Sequence, residues 1–365
     1  MLSFLFLLLV YANVYGYEWT VLQSQGQVPQ PLWSHTGQLT STNKLIIFSG
    51  LFCCGQNNIC CYGRNNDTSI VSLENGIWYK SNSTKYPISR SDHTSIITKN
   101  DILYIFYGTI ISYTEAVWSY DYRLDFWQNY NFTGIAPPFN TYDHSTVLLS
   151  DDKTVLLFGG RTHTQDLYAY DLELSNWQLI QNISGNAPPP RTNHGAAVTE
   201  DDRMIIYGGN YFGSVKNDVF IFDIKTNSWF EITSFNGDVV SPKLYGHSFN
   251  HIGFNQFFIY GGFRFVQYDD AYIFDLNLAL WAKIQISGLG PGKIDFFSAS
   301  QSRQNMKRIA IFGGLPPRSD DIFLVDVFQY ASSNDATSFS HPFGILFLIL
   351  LTNMGILVFD PFLFF

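Results

Sequence analysis

Five histidines carry the side chain best suited to acid–base or metal chemistry near neutral pH: His35, His93, His144, His194 and His247. Each opens a short run of small and apolar residues, as His144 does in HSTVLL. A side chain repeated in register serves the repeating unit. The expected role is therefore a hydrogen bond from a strand start to the neighbouring unit. Four cysteines, Cys53, Cys54, Cys60 and Cys61, fall in one segment. Four thiolates can complete a zinc tetrahedron, but adjacent cysteines chelate poorly. Disulfides are the expectation, with three connectivities open; strain in a bond between neighbouring cysteines favours bridges between the two pairs. Residues 288–293, GLGPGK, only half match a phosphate loop. The first glycine of that motif would fall on Ser287, and Ile294 stands where Ser or Thr is required. The segment reads as a Gly-Pro linker, like the run Ala187 to Pro190. Neither His-Glu-x-x-His nor Gly-x-Ser-x-Gly occurs in the sequence. No catalytic residue, metal or cofactor is expected.

Short strands must position these residues. Residues 155–177, VLLFGGRTHTQDLYAYDLELSNW, show the pattern: an apolar run ending in Gly159-Gly160, a polar loop, a second run from Leu167 to Tyr170, then Asp171 and Trp177. With the run from His144 this makes four strands and three turns. The glycines suit a backbone that leaves a strand with positive φ or under a close neighbour. The stretch recurs. Glycines ending the second strand are Gly50, Gly108, Gly159, Gly208, Gly261 and Gly313, and Phe297 takes the histidine place in the last unit. Asp and Trp six apart recur as Asp121/Trp127, Asp171/Trp177, Asp223/Trp229 and Asp275/Trp281. Here Asp would satisfy turn amides and Trp would fill the gap between units. A period of about 50 residues with four strands per unit marks a propeller.

On these residues, with the aromatics Trp118, Tyr168, Phe220, Tyr272 and Phe323, the chain resembles the kelch repeat family over residues 17–331. The implied fold is all-β, a six-bladed kelch β-propeller. Six glycine turns meet six late tryptophans, but Trp19 precedes every glycine turn and the sixth unit has no Trp after it. Residues 17–22 are therefore expected to supply the outer strand of the last blade, closing the ring by pairing the two chain ends.

The net charge is −9, with 21 basic residues, which speaks against nucleic acid. Residues 1–16 read as a secretory signal, with Val14 and Gly16 at the cleavage positions. Sequons for N-glycosylation stand at Asn66, Asn82, Asn131 and Asn182. Residues 332–342 form a polar spacer and 343–365 an apolar tail. No Lys or Arg follows Arg318, and the order of segments favours a glycolipid anchor attached at Asn334 or Ser333, with a single membrane-spanning helix as the alternative. Cell-surface display through that tail is the expected localisation.

The second-to-third-strand loops and the blade connections should emerge on one face. That gathers Arg161, His163, Tyr211, Phe212, Phe263, Arg264, Phe265 and Arg318, with Arg90 and Arg191 three residues before their histidines. Arginines among aromatics are binding anchors, so the expected function is recognition of a protein segment or glycan with acidic groups. A competing role for Arg90 and Arg191 is to tie loops to backbone carbonyls. Some kelch propellers are copper oxidases similar to galactose oxidase. That resemblance implies a cysteine cross-linked to tyrosine near the axis, whereas all four cysteines here lie in one peripheral loop. Others isomerise sialic acid. A carbohydrate-active enzyme and an adhesion or coat protein are the alternative readings.

Overall fold

The computed structural model describes residues 17–53, 62–110, 112, 115–302, 308–316 and 321–327. Six antiparallel sheets stand in a ring, their first strands neighbouring one another in sequence order and the sixth returning to the first. Blade three is typical: His144–Leu148, Thr154–Gly159, Leu167–Asp171 and Asn176–Leu179. A two-residue strand from the preceding connection, Thr133–Gly134, adds in parallel to its outer edge. Blades one, four and six carry the same addition. The middle strands are buried on both faces, so Thr154–Gly159 reads as an almost unbroken apolar run.

The ring closes as the sequence implies. Tyr17–Leu22 pairs antiparallel with Ile322–Asp326, Trp19 opposite Val325. Each late Trp packs on an aromatic of the blade before it. Trp127 meets Phe48 at 4.8 Å, Trp229 meets Phe158 at 5.4 Å, and Trp281 meets Tyr207 at 4.8 Å. Trp19 meets Tyr260 of blade five at 5.1 Å, so it does for blade six what the others do for theirs. Trp19→Ala is expected to cost about 3–5 kcal/mol, the range for a buried aromatic. Urea denaturation measures it, and a loss under about 1 kcal/mol would leave closure resting on the backbone ladder alone. The repeated aspartates cap the turns as expected: Asp171 Oδ1 accepts from the amides of Glu173 and Leu174, and Asp223 Oδ1 from those of Lys225 and Thr226.

The glycine register shifts by one in two blades. Gly50 and Gly108 correspond to the second glycine of each pair, with Gly160, Gly209, Gly262 and Gly314; Ser49 and Tyr107 occupy the first place, at φ 55° and 51°. The reason is a shared neighbour. A Cβ at Gly50, Gly108, Gly209 or Gly262 would stand 2.7 Å from the Cβ of the same blade's register histidine. The first glycine instead faces the ring of the next blade's histidine, as Gly159 faces His194. Glycine and histidine thus recur together because they touch.

Among the cysteines, Cys53 ends the long second strand Lys44–Cys53 and is disulfide-bonded. Cys54, Cys60 and Cys61 lie outside the described residues, as do residues 1–16, Ser333, Asn334 and the tail.

Candidate binding face and axial cavity

Two closed rings of backbone hydrogen bonds surround the axis. In one, the amide of the second glycine of each blade donates to a carbonyl three residues before the next register position: Gly50 to Arg90, Gly108 to Thr141, Gly160 to Arg191, Gly209 to Leu244, Gly262 to Ile294 and Gly314 to Leu32, at 2.8–3.0 Å. In the other, the residue just before each register position donates to its counterpart one blade back. Asp92 donates to Ser34, Asp143 to Asp92, Asn193 to Asp143, Gly246 to Asn193, Phe296 to Gly246 and Ser34 to Phe296, at 2.9–3.0 Å. All six of these residues have φ between 51° and 64°. Asp, Asn, Ser and Gly tolerate that conformation; Phe296 is the costly exception, and such strain gathers at binding sites.

This inner ring borders a cavity of about 160 Å³ on the axis, lined by the same six residues and by the register histidines and Phe297. The histidines form its wall and bond across blades. His35 Nε2 meets Ser298 Oγ at 3.0 Å, His93 meets Thr36 Oγ1 at 2.9 Å, His144 meets Thr94 Oγ1 at 2.8 Å and His194 meets Ser145 Oγ at 2.7 Å. Gly195 holds the hydroxyl place in blade four, so neither ring nitrogen of His247 has a partner. Burial pushes His35, His144 and His247 down to about 3, and His93 and His194 well below the ordinary range. These imidazoles are neutral struts. Among the described residues no group of three or more His, Cys, Asp or Glu side chains is disposed to hold a metal ion.

Two of the expected anchors are elsewhere. Arg90 and Arg191 are 0% exposed and do not reach the surface. Arg90 donates to the carbonyls of Tyr107 and Glu115, and Arg191 to those of Gly208 and Pro189 and to both oxygens of Asp218. Neither meets a ligand without local unfolding. Their acidic partners come from the loops of their own blades, which the motif before the histidine did not reveal.

The other anchors share the face that holds the cavity. Arg161 is on the rim with its side chain 56% exposed; its Nε bonds Asp143 Oδ2 at 3.0 Å and its guanidinium lies over Tyr142. His163 stacks on Phe212 at 4.6 Å, with Tyr211 beside them. Phe263 packs on Tyr245, which packs on Phe296 at the cavity edge. Arg264 covers the ring of Phe265 at 5.0 Å. Phe212 and Phe265 are 75% and 78% exposed. Arg318 lies outside the described residues. Sequence reasoning missed Asp92, Asp143, Tyr245 and Phe296, although one signal was present: each stands one or two places before a register position. Asp143 is raised to about 6, chiefly by burial and then by the Asp92 carboxylate, with Arg161 working against both. Among the described residues no Lys or Arg lines the axial cavity, so the acidic ligand expected from the sequence finds its basic contacts there on the rim.

The model of the KLHDC2/KLHL20/DRC7 kelch-repeats domain matches residues 6–156 and 115–314. The chain belongs to the kelch-repeat family. This kelch propeller is similar to acyl-CoA-binding domain-containing protein 4 of Arabidopsis thaliana, 26% identical over 83% of the chain and 46% of that relative. Human kelch domain-containing protein 3 is 38% identical over 26% of each. A relative from Thlaspi arvense named N-(sulfonatooxy)prop-2-enimidothioate sulfolyase is 28% identical over 38% of the chain and 40% of its own length. The chain spans less than half the length of these relatives.

Proposed function

We propose that this kelch propeller is an extracellular binding module that grips a protein segment, or a glycan, across its loop face. The observation that carries the reading is the pair of exposed phenylalanines, Phe212 and Phe265, with Arg264, on the face that also opens into the axial cavity. Large exposed aromatics beside a concave centre are how interfaces are anchored. Kelch β-propellers serve in protein–protein interaction, which supports the class of partner. The bonded state of Cys53 supports an oxidising compartment. Asn82, Asn131 and Asn182 are exposed and Asn66 is half-buried, which suits three of the four sequons to glycan attachment. Display at the membrane through residues 343–365 completes the reading.

The test is a screen of the full-length chain, made in a glycosylating host, against surface-protein extracts and glycan arrays. The variant Phe212→Ser, Arg264→Glu, Phe265→Ser is expected to weaken the captured ligand by a hundredfold or more, about 3 kcal/mol. Unchanged affinity would move the site off this rim. A second reading, an enzyme working in the axial cavity, is favoured by the lyase name of the Thlaspi arvense relative. Analysis of any bound sugar or thioester for chemical change decides between them.

A further inference from the structure

We propose that Asn82 carries an N-glycan whose role is to cover the bare outer sheet edge of blade two. The proposal rests on the extracellular reading and adds what one modification does there. The other blades cover their outer strands with protein. In blades one, three, four and six the preceding connection adds a two-residue parallel strand, and in blade five Asn236 bridges in parallel to Leu280. Among the described residues no strand or bridge pairs with the outer side of Phe126–Asn129, the last strand of blade two. In blade three the carbonyls of Ser175 and Trp177 accept from the amides of Thr133 and Ile135 on the added strand. Asp125 and Trp127 hold those places in blade two, where no added strand brings amides to their carbonyls.

A row of unpaired strand groups is a template for a second chain, and proteins blunt such edges with charge, proline or cover. Residues 126–129, FWQN, carry neither a charge nor a proline. Phe126 is 50% exposed, and Leu124 in the turn before it is 74% exposed. The connection entering blade two supplies a sequon, Asn82-Ser83-Thr84, in place of a strand. That sequon is fastened to the edge. Ser81 Oγ and the Asn82 amide both donate to the carboxylate of Asp125, the residue just before Phe126, the amide at 2.8 Å. Asn82 and Thr84 are exposed. The other sequons are placed differently. Asn131 and Asn182 each stand two residues before an added strand, beside edges already paired, and Asn66 lies inside the paired strand Tyr62–Ser72. An N-glycan is bulky and solvated, so at Asn82 it denies Phe126–Asn129 to a second strand.

The experiment uses the full-length chain made in a glycosylating host. Peptide mass spectrometry reads the glycan at each sequon, and sedimentation velocity reads self-association. Asn82 is expected to be glycosylated and the parent monomeric. Thr84→Ala removes the sequon at an exposed position and is expected to self-associate at a concentration about tenfold or more below any at which the parent does. Thr84→Ser keeps the sequon and should match the parent. Phe126→Lys added to Thr84→Ala puts a charge on the edge and should restore the monomer. Ser184→Ala removes the Asn182 sequon beside a paired edge and should stay monomeric. An unmodified Asn82 in a chain glycosylated at Asn131 and Asn182 would overturn the proposal and leave the extracellular reading standing. Four unmodified sequons would overturn both. A Thr84→Ala variant no more associated than the parent, equal association of Ser184→Ala, or association that persists with Phe126→Lys would each overturn the role at the edge.

Discussion

Acidification from pH 7 is expected to unfold the propeller cooperatively with a midpoint near pH 5, because five register histidines are buried in the neutral form. Their folded values lie far below the unfolded value of 6.5. The unfolded chain therefore takes up protons that the folded chain refuses, and stability is lost as pH falls from 6.5 toward 3. Each histidine contributes about 1.4 kcal/mol per pH unit to that loss. Two carboxylates act in the opposite sense. Asp143 and Asp295 are raised to about 6, both chiefly by burial, so the folded state holds their protons more tightly and gains stability as pH falls from 6 toward 4. Two of five opposing slopes cancel, leaving about 4 kcal/mol per pH unit, against the 5–15 kcal/mol of a typical folded domain. Circular dichroism against pH, with urea titrations at pH 7.5 and 5.5, measures the effect. Stability that stays level down to pH 4 would show that the ring is hydrated and that the histidines titrate normally.

One substitution isolates the cause. Blade six carries Phe297 where the others carry histidine, and its ring faces Gly261 as His247 faces Gly208. His247 makes no hydrogen bond for a phenylalanine to lose. His247→Phe should therefore lie within about 1 kcal/mol of the parent at pH 7.5 and exceed it by about 2 kcal/mol at pH 5. His194→Phe should flatten the pH dependence equally, but at the expense of the Ser145 hydrogen bond at every pH, about 1 kcal/mol.

The second large effect is expected at Arg191. Its guanidinium bonds Asp218 at 2.6 and 3.0 Å and lies 5.3 Å from the Phe220 ring centre. Leu32, Leu244 and Ile294 occupy the same place in other blades, so Arg191→Leu fits sterically. It leaves the Gly208 carbonyl and the Asp218 carboxylate without their donors. Loss of one partner from such a buried pair costs about 3–5 kcal/mol, or roughly 10 °C of melting temperature in a domain of this size. Arg90→Leu should cost less, because the Glu115 carboxylate stands 3.5 Å away rather than in bidentate contact. Differential scanning calorimetry ranks the two. A loss below 1 kcal/mol for Arg191→Leu would show that the pair with Asp218 contributes little to stability.

Much of the architecture was legible from local chemistry. A histidine at the register position of five blades, a glycine after each second strand and a tryptophan in each outer strand are set by contacts that recur from blade to blade. A single chain therefore displays the same constraint several times over. Trp19 could be placed in blade six because an outer strand needs only one partner and the sixth blade lacked one. The glycine register was off by one at Gly50 and Gly108, since Ser49 and Tyr107 adopt at the first position the φ that glycine takes elsewhere. The exposed aromatics and Arg264 could be assigned to one face from loop topology alone.

The sequence by itself determined the repeat, the number of blades and the loops that share a face, because each depends on residues near one another in the chain, and it determined the ring closure because the repeat left one outer strand over at the start and one missing at the end. Tertiary structure alone decided which arginines are buried and what charge the axis carries. Arg191 and Asp218 are brought together across the first two strands of blade four and the hairpin that follows them, and a guanidinium loses its water only where such a partner is waiting. Asp92 and Asp143 belong to separate blades. They become neighbours only when blades two and three pack against each other at the axis, and only then do two ordinary aspartates become a shared negative field.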